Sequence, residues 1–234
     1  MVETTLWYAI GTIGMAAGTA YAAWGYVVDE RAHGNYYGVL AAITGIATVA
    51  YTAMTLGIGQ ISVHGAVFYV PRYIDWLLTT PLLVLYLAML AKPKRRIYRR
   101  LVLLEVVVIA SGVLAAFTPT PLDWFSFSAG TVAFLILLYY LVSVLPDQAA
   151  LSAHRPDAIF TKLRNLTVVL WSIYPIVWVL GPFGLGLLLV DTEAIVVTYL
   201  DLLAKVGFVV IAVNGRDALS VLSKGSQATA LAAD

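Results

Sequence analysis

The sequence contains no cysteine, so disulfides, thiolate metal sites and cysteine nucleophiles are excluded. It is also short of charge. Asp, Glu, Lys and Arg make up 12% of its 234 residues, where a soluble domain carries about 25%. Its three histidines, His33, His64 and His154, fall in connecting segments with no metal-ligand spacing. The net charge is only +1, and no nucleic-acid partner is expected. The start, Met1-Val-Glu-Thr-Thr, lacks the basic opening of a secretory signal. The first apolar run also lacks a convincing cleavage site, so it reads as a retained helix.

What the chain has in quantity is apolar surface: 61% of its residues are hydrophobic, and mean hydropathy is +0.89. Such a chain has nowhere to put its surface in water, and the bilayer is its natural solvent. A spanning helix needs about 20 mostly apolar residues. Seven segments qualify, near 5–28, 36–58, 71–91, 98–117, 121–145, 162–183 and 190–214. Turn signals separate them, among them Pro93, Thr118-Pro-Thr-Pro121, Pro146-Asp147 and Gly181-Pro182. The expected fold is an all-α bundle of seven transmembrane helices forming one domain over 1–225, with a flexible cytoplasmic tail at 226–234. In the second–third link, β-branched and aromatic residues flank Gly65, which predicts a small β-hairpin outside the membrane.

Twelve of the fourteen basic residues fall in or beside alternate connections and the tail: Arg31, Lys92, Lys94, Arg95, Arg96, Arg99, Arg100, Arg155, Lys162, Arg164, Arg216 and Lys224. The positive-inside rule makes that side cytoplasmic, with the N-terminus outside and the C-terminus inside. The cell membrane is the expected location, with membrane lipids as surroundings and a homo-oligomer as an open prospect.

The remaining two basic residues, Arg72 and Lys205, lie inside spans, as do Asp75, Glu105 and Asp201. A charge at mid-bilayer costs about 2.5–3.5 kcal/mol on insertion scales, so each needs a partner and commonly a function. Asp201 and Lys205 are four apart and share a face of the last helix, while Arg72 and Asp75 are three apart on the third. The simplest satisfied arrangement sets these helices side by side. Lys205 then faces Asp75 and Asp201, with Arg72 balancing the second negative charge in a neutral quartet. One reading is an ion-pair network that only fixes helix contacts. The other starts from the choice of lysine, because a desolvated amine becomes a nucleophile suited to Schiff-base formation. Trp171, Tyr174 and Trp178 form one stripe on the sixth helix and Trp76 adjoins Asp75. Rings around a lysine suit a long, flat, apolar ligand.

Three runs carry a family resemblance. Arg72-Tyr-Ile-Asp-Trp-Leu-Leu-Thr-Thr-Pro81 resembles the third-helix signature of archaeal microbial (type 1) rhodopsins. Asp201-Leu-Leu-Ala-Lys-Val-Gly207 resembles their retinal-attachment signature, and Leu170-Trp-Ser-Ile-Tyr-Pro175 their sixth-helix pocket motif. The resemblance implies all-trans retinal held by Lys205 as a protonated Schiff base. Asp75 would be counterion and proton acceptor, Asp201 the second carboxylate and Arg72 the balancing cation. It implies a pocket of Trp76, Thr79, Thr80, Glu105, Val108, Gly112, Phe127, Gly130, Phe134, Trp171, Tyr174, Trp178 and Ala204. Glu105 is expected as a neutral carboxylic acid, since an apolar site disfavours its ionised form. No enzymatic activity is expected.

The resemblance leaves the task open between pump and sensor. Outward pumps of the bacteriorhodopsin pattern carry a proton-donating carboxyl eleven residues after the counterion. Tyr86 stands there, and a phenol titrating near 10 is a poor donor at neutral pH. Leu40 replaces a hydroxyl of the same pathway. On the outer side Glu193 matches one member of the proton-release pair, but Phe183 replaces the other. The pattern is closest to sensory rhodopsin II, including Lys162-Leu-Arg-Asn-Leu-Thr167 and Tyr199, which matches a transducer-contacting tyrosine. Ala204 and Leu189 depart from that pattern, and the mixture is similar to the intermediate group called middle rhodopsin. The implied function is a light-sensing photoreceptor with a membrane-embedded transducer as partner; the alternative is a weak light-driven outward proton pump.

Overall fold

The first helix is not among the six helices long and apolar enough to stand out as membrane spans, and its small residues explain why it still packs with them. In this computed structural model, which describes residues 2–29, 34–147 and 154–215, α1 (Val2–Val28) runs for 27 residues. At 1.5 Å per residue that is about 40 Å, enough to cross a bilayer. Its glycines bring neighbouring helices close. A Cβ on Gly11 would lie 2.2 Å from the Tyr51 ring, and one on Gly14 2.4 Å from Leu202. Close approach over small residues is how helices adhere where lipid offers no hydrophobic drive.

The other six helices are α2 (Gly34–Thr55), α3 (Val70–Ala91), α4 (Arg95–Phe117), α5 (Leu122–Asp147), α6 (His154–Trp171 continued by Tyr174–Leu180) and α7 (Val190–Asn214). All six are long and apolar enough to cross a membrane, matching the expected spans to within a few residues. Hydroxyls inside them bond back to their own helix, as Thr48 Oγ1 does to the Thr44 carbonyl at 2.8 Å. That satisfies polar atoms where no water is available. Arg31, His33, Arg216, Lys224 and the tail 226–234 lie outside the described residues.

Between α2 and α3 stands the expected hairpin. β1 (Gln60–Val63) pairs antiparallel with β2 (Ala66–Tyr69), Val63 opposite Ala66. Its two turn residues, His64 (φ 51°) and Gly65 (φ 83°), both adopt the positive φ that suits a two-residue hairpin turn. Pro71 then opens α3 at a position where a missing N–H costs nothing.

Helices adjacent in sequence pack side by side, and α7 closes the ring against α1. One core, built on Leu40, Leu83, Tyr86, Leu87 and Phe208, fills the half nearer the basic connections. A second, built on Tyr8, Met15, Tyr51 and Met54, fills the opposite half between α1 and α2. Two local irregularities mark the zone between them. α6 breaks at Ser172-Ile173, because Pro175 has no N–H for the Trp171 carbonyl. α7 widens into a π turn over Leu202–Gly207, and such turns are frequent at functional sites.

Candidate functional site

On α3 the buried face carries Arg72, Asp75 and Thr79, and on α7 it carries Asp201 and Lys205, the lysine inside the π turn. Lys205 is 2% exposed and Asp75 and Asp201 are each 1% exposed, so their charges must satisfy one another. Lys205 Nζ donates to Asp75 Oδ2 and stands 3.5 Å from Asp201 Oδ2.

The two carboxylates are held differently. Asp201 accepts from Tyr174 OH at 2.6 Å, Tyr51 OH at 2.8 Å and Trp76 Nε1 at 3.2 Å. Three neutral donors from three other helices stabilise it as a fixed anion. Asp75 has Lys205 on one oxygen, while its Oδ1 is buried without a partner. Of the two, only Asp75 has an oxygen without a hydrogen-bond partner.

The expected neutral quartet needs correction. Arg72 does not balance Asp201; its Nη1 pairs with Glu193 at 2.9 Å and its Nη2 donates to Tyr8 OH at 2.9 Å. Its guanidinium lies 5.2 Å from the centre of the Tyr69 ring. Arg72 sits most of a turn nearer the outer end of α3 than Asp75. The start of α7, where Glu193 lies, is therefore the nearer source of an anion. The charges divide into an inner set of one lysine with two carboxylates and an outer arginine–glutamate pair.

Beside the inner set is a cavity of about 140 Å³. Trp76, Thr80, Glu105, Val108, Gly112, Phe127, Gly130, Phe134, Trp171, Tyr174, Trp178 and Ala204 line it, so twelve of the thirteen expected pocket residues come together. Thr79 stands apart, fully buried, with its hydroxyl on the Asp75 carbonyl at 2.8 Å. Trp178 stacks on Phe127 at 4.3 Å, and Trp76 meets Tyr174 edge-on at 5.3 Å. A Cβ on Gly112 would meet nothing within 4 Å, which leaves room at that wall. Glu105 belongs to α4, on the side of the bundle away from α7, and its Oε1 is buried without a partner. The cavity is therefore a ring-walled slot between the α7 lysine region and α4.

The proton-path residues are also placed. Tyr86 is fully buried, with a partnerless hydroxyl, between the rings of Tyr36 and Phe208. Leu40 is fully buried in the same core. Glu193 lines the cavity mouth in its pair with Arg72, and Phe183 packs on Phe68 of the hairpin at 6.0 Å. Tyr199 is 63% exposed on the lipid-facing side of α7.

Comparison with known proteins agrees with this geometry. Residues 2–219 match the family model of bacteriorhodopsin-like proteins. The chain belongs to that family. It is 45% identical over 218 residues to sensory rhodopsin-2 of Halobacterium salinarum, covering 93% of this chain and 91% of that one. It is 41% identical over 219 residues to sensory rhodopsin-2 of Natronomonas pharaonis, covering 94% and 92%. A thermophilic rhodopsin from Rubrobacter xylanophilus superposes with a TM-score of 0.88 at 40% identity, covering 93% of this chain and 97% of that one. Like other bacteriorhodopsin-like proteins, the chain is a multi-pass membrane protein.

Reading from residue types missed Tyr8 and Tyr51, which hold Arg72 and Asp201, and Tyr73, Ile109, Thr131 and Val197 in the cavity wall. A signal existed for the first two. A tyrosine deep in an apolar span usually finds a partner for its hydroxyl. Gly11 is the point at which to test that network. Gly11→Ala drives a methyl into the Tyr51 ring, and overpacking of this kind costs about 1–3 kcal/mol. A melting temperature lowered by several degrees is expected, and an unchanged one would show that Tyr51 is not clamped.

Proposed function

We propose that this chain is a light-sensing retinal photoreceptor. Retinal is bound covalently to Lys205 Nζ as a protonated Schiff base in the all-trans form. The observation that carries the reading is the buried Lys205–Asp75–Asp201 set, whose Asp201 borders a slot walled by aromatic rings. The slot residues fit such a group: a largely apolar, ring-walled lining beside the one buried lysine among the described residues.

Retinal supplies visible absorption and a light-driven bond rotation at the lysine. The residues do the rest. Asp201, fixed by Tyr51, Tyr174 and Trp76, keeps the site anionic and oriented. Asp75 receives the proton from Lys205 Nζ when the two are displaced, because separated charges are costly in low dielectric. Loss of that ion pair removes a bond between α3 and α7 and leaves the hinge of α6 at Ser172-Ile173 free to shift. A membrane-embedded transducer reading the α6–α7 surface, where Tyr199 is exposed, would receive the signal.

A sensor is favoured over a pump by the cytoplasmic half, where Tyr86 and Leu40 are fully buried and no carboxyl of the described residues lies in their core. Illumination of vesicles holding the protein, with external pH recorded, tests this. No sustained pH change is expected, and steady light-driven proton export would put the pump reading first.

The counterion has its own test. Asp75→Asn is expected to move the visible band to longer wavelength, because an anion beside the lysine nitrogen stabilises the ground state more than the excited state. The same shift should appear in the wild type when acid is added. Asp75 then takes up a proton and loses its charge, and the shift reverses on neutralisation. A band indifferent to both changes would remove Asp75 from this role.

A further inference from the structure

Six cations, Lys92, Lys94, Arg95, Arg96, Arg99 and Arg100, fall within nine residues where α3 ends and α4 begins. Three of them are arranged rather than scattered. Arg96, Arg99 and Arg100 are exposed and spaced to share one stripe of α4, and that stripe continues into Leu103, 63% exposed. Together with Tyr98, Val102 and Val106, all on α4, they border a shallow, open groove. Arg100 is held in place, its Nη1 donating to Tyr140 OH of α5 at 2.9 Å. None of the three arginines forms an ion pair with a carboxylate among the described residues.

We propose that this groove is a binding site for one anionic phospholipid of the cytoplasmic leaflet, its phosphate on Arg96, Arg99 and Arg100 and an acyl chain along Leu103 and Val106. Guanidinium groups bind phosphate oxygens in pairs, which suits them to this ligand better than ammonium groups. The order of the groups matches the membrane itself: cations at headgroup level, apolar side chains one to two turns deeper. Basic residues near an anionic surface add to lipid affinity, and prior fixation of Arg100 by Tyr140 lowers the ordering cost. A soluble anion would gain nothing from Leu103 and Val106, so a lipid is the better fit.

The test is native mass spectrometry of the full chain in detergent with equal amounts of phosphatidylglycerol and phosphatidylcholine. One phosphatidylglycerol is expected to be retained, with a preference of about five- to tenfold, within what three such contacts supply. Arg96→Gln/Arg99→Gln/Arg100→Gln should abolish the preference, while Lys92→Gln/Lys94→Gln/Arg95→Gln should keep it; circular dichroism checks that both remain helical. Equal loss in the two triple variants would mean diffuse attraction and overturn the site. So would the absence of any preference in the wild type, which would leave the arginines to topology or a protein partner. Displacement of the lipid by millimolar inorganic phosphate would reassign the groove to soluble anions.

Discussion

Lys205→Ala supplied with all-trans retinal is expected to show no visible band. A visible band of the expected kind needs a primary amine inside the protein that can join an aldehyde and remain charged. Lys205 is the one buried lysine among the described residues; Lys92, Lys94 and Lys162 are exposed at the basic end. Arg72, the other buried cation, is a guanidinium committed to Glu193 and Tyr8, and it stays protonated. The effect should be complete loss rather than a shift. Removing one member of a buried ion set costs about 3–5 kcal/mol, since Asp75 and Asp201 would then face each other without a cation. Lys205→Ala/Asp75→Asn therefore serves as a second variant. It leaves Asp201 with its three neutral donors, and should fold with wild-type helix content and remain colourless. A visible band in either variant would remove the central claim.

Recovery after a light flash is expected to slow about tenfold for each unit rise in pH, the signature of a proton taken directly from the medium. Tyr86 stands where an internal donor would serve, and its hydroxyl is sealed between Tyr36, Phe208 and the Leu40 core. A proton returning to Lys205 Nζ from the cytoplasmic side must cross this apolar region. Small diffusible acids such as azide should therefore accelerate recovery. Tyr86→Asp places a carboxyl in the same region, where burial favours its neutral, proton-bearing form. Recovery in that variant should speed up on the order of 10²-fold at neutral pH, the lower end of what a positioned general acid contributes, and lose its pH dependence. Flash photolysis over a series of pH values measures both. A fast, pH-independent recovery in the wild type would reveal an unrecognised donor and favour pumping. The sensor reading depends on the slow step, because a partner needs time to respond to the altered bundle.

Much of this protein is legible without coordinates because the bilayer leaves few solutions. Stretches of about twenty apolar residues in a chain with 12% charge must be spanning helices, and basic residues in alternate connections orient them. The rarity of intramembrane charge also made Asp75, Asp201 and Lys205 visible at once, since each such residue needs a reason. The hairpin turn was readable from Gly65 among β-branched neighbours.

The sequence by itself determined the seven spans, the orientation and the identity of the embedded lysine and its carboxylates, because desolvation costs act on residue type and need no tertiary context. Only the tertiary structure decided which ion answers which. Arg72 could balance Asp201 or Glu193 on spacing alone, and the choice of Glu193 depends on how α3 and α7 are set against each other along the membrane normal. It also gave the two carboxylates different partners. The donors to Asp201 come from Tyr51, Trp76 and Tyr174, on three different helices. Helical spacing relates residues within one helix, whereas contacts between helices depend on relative rotation and depth, which arise only when the whole bundle closes.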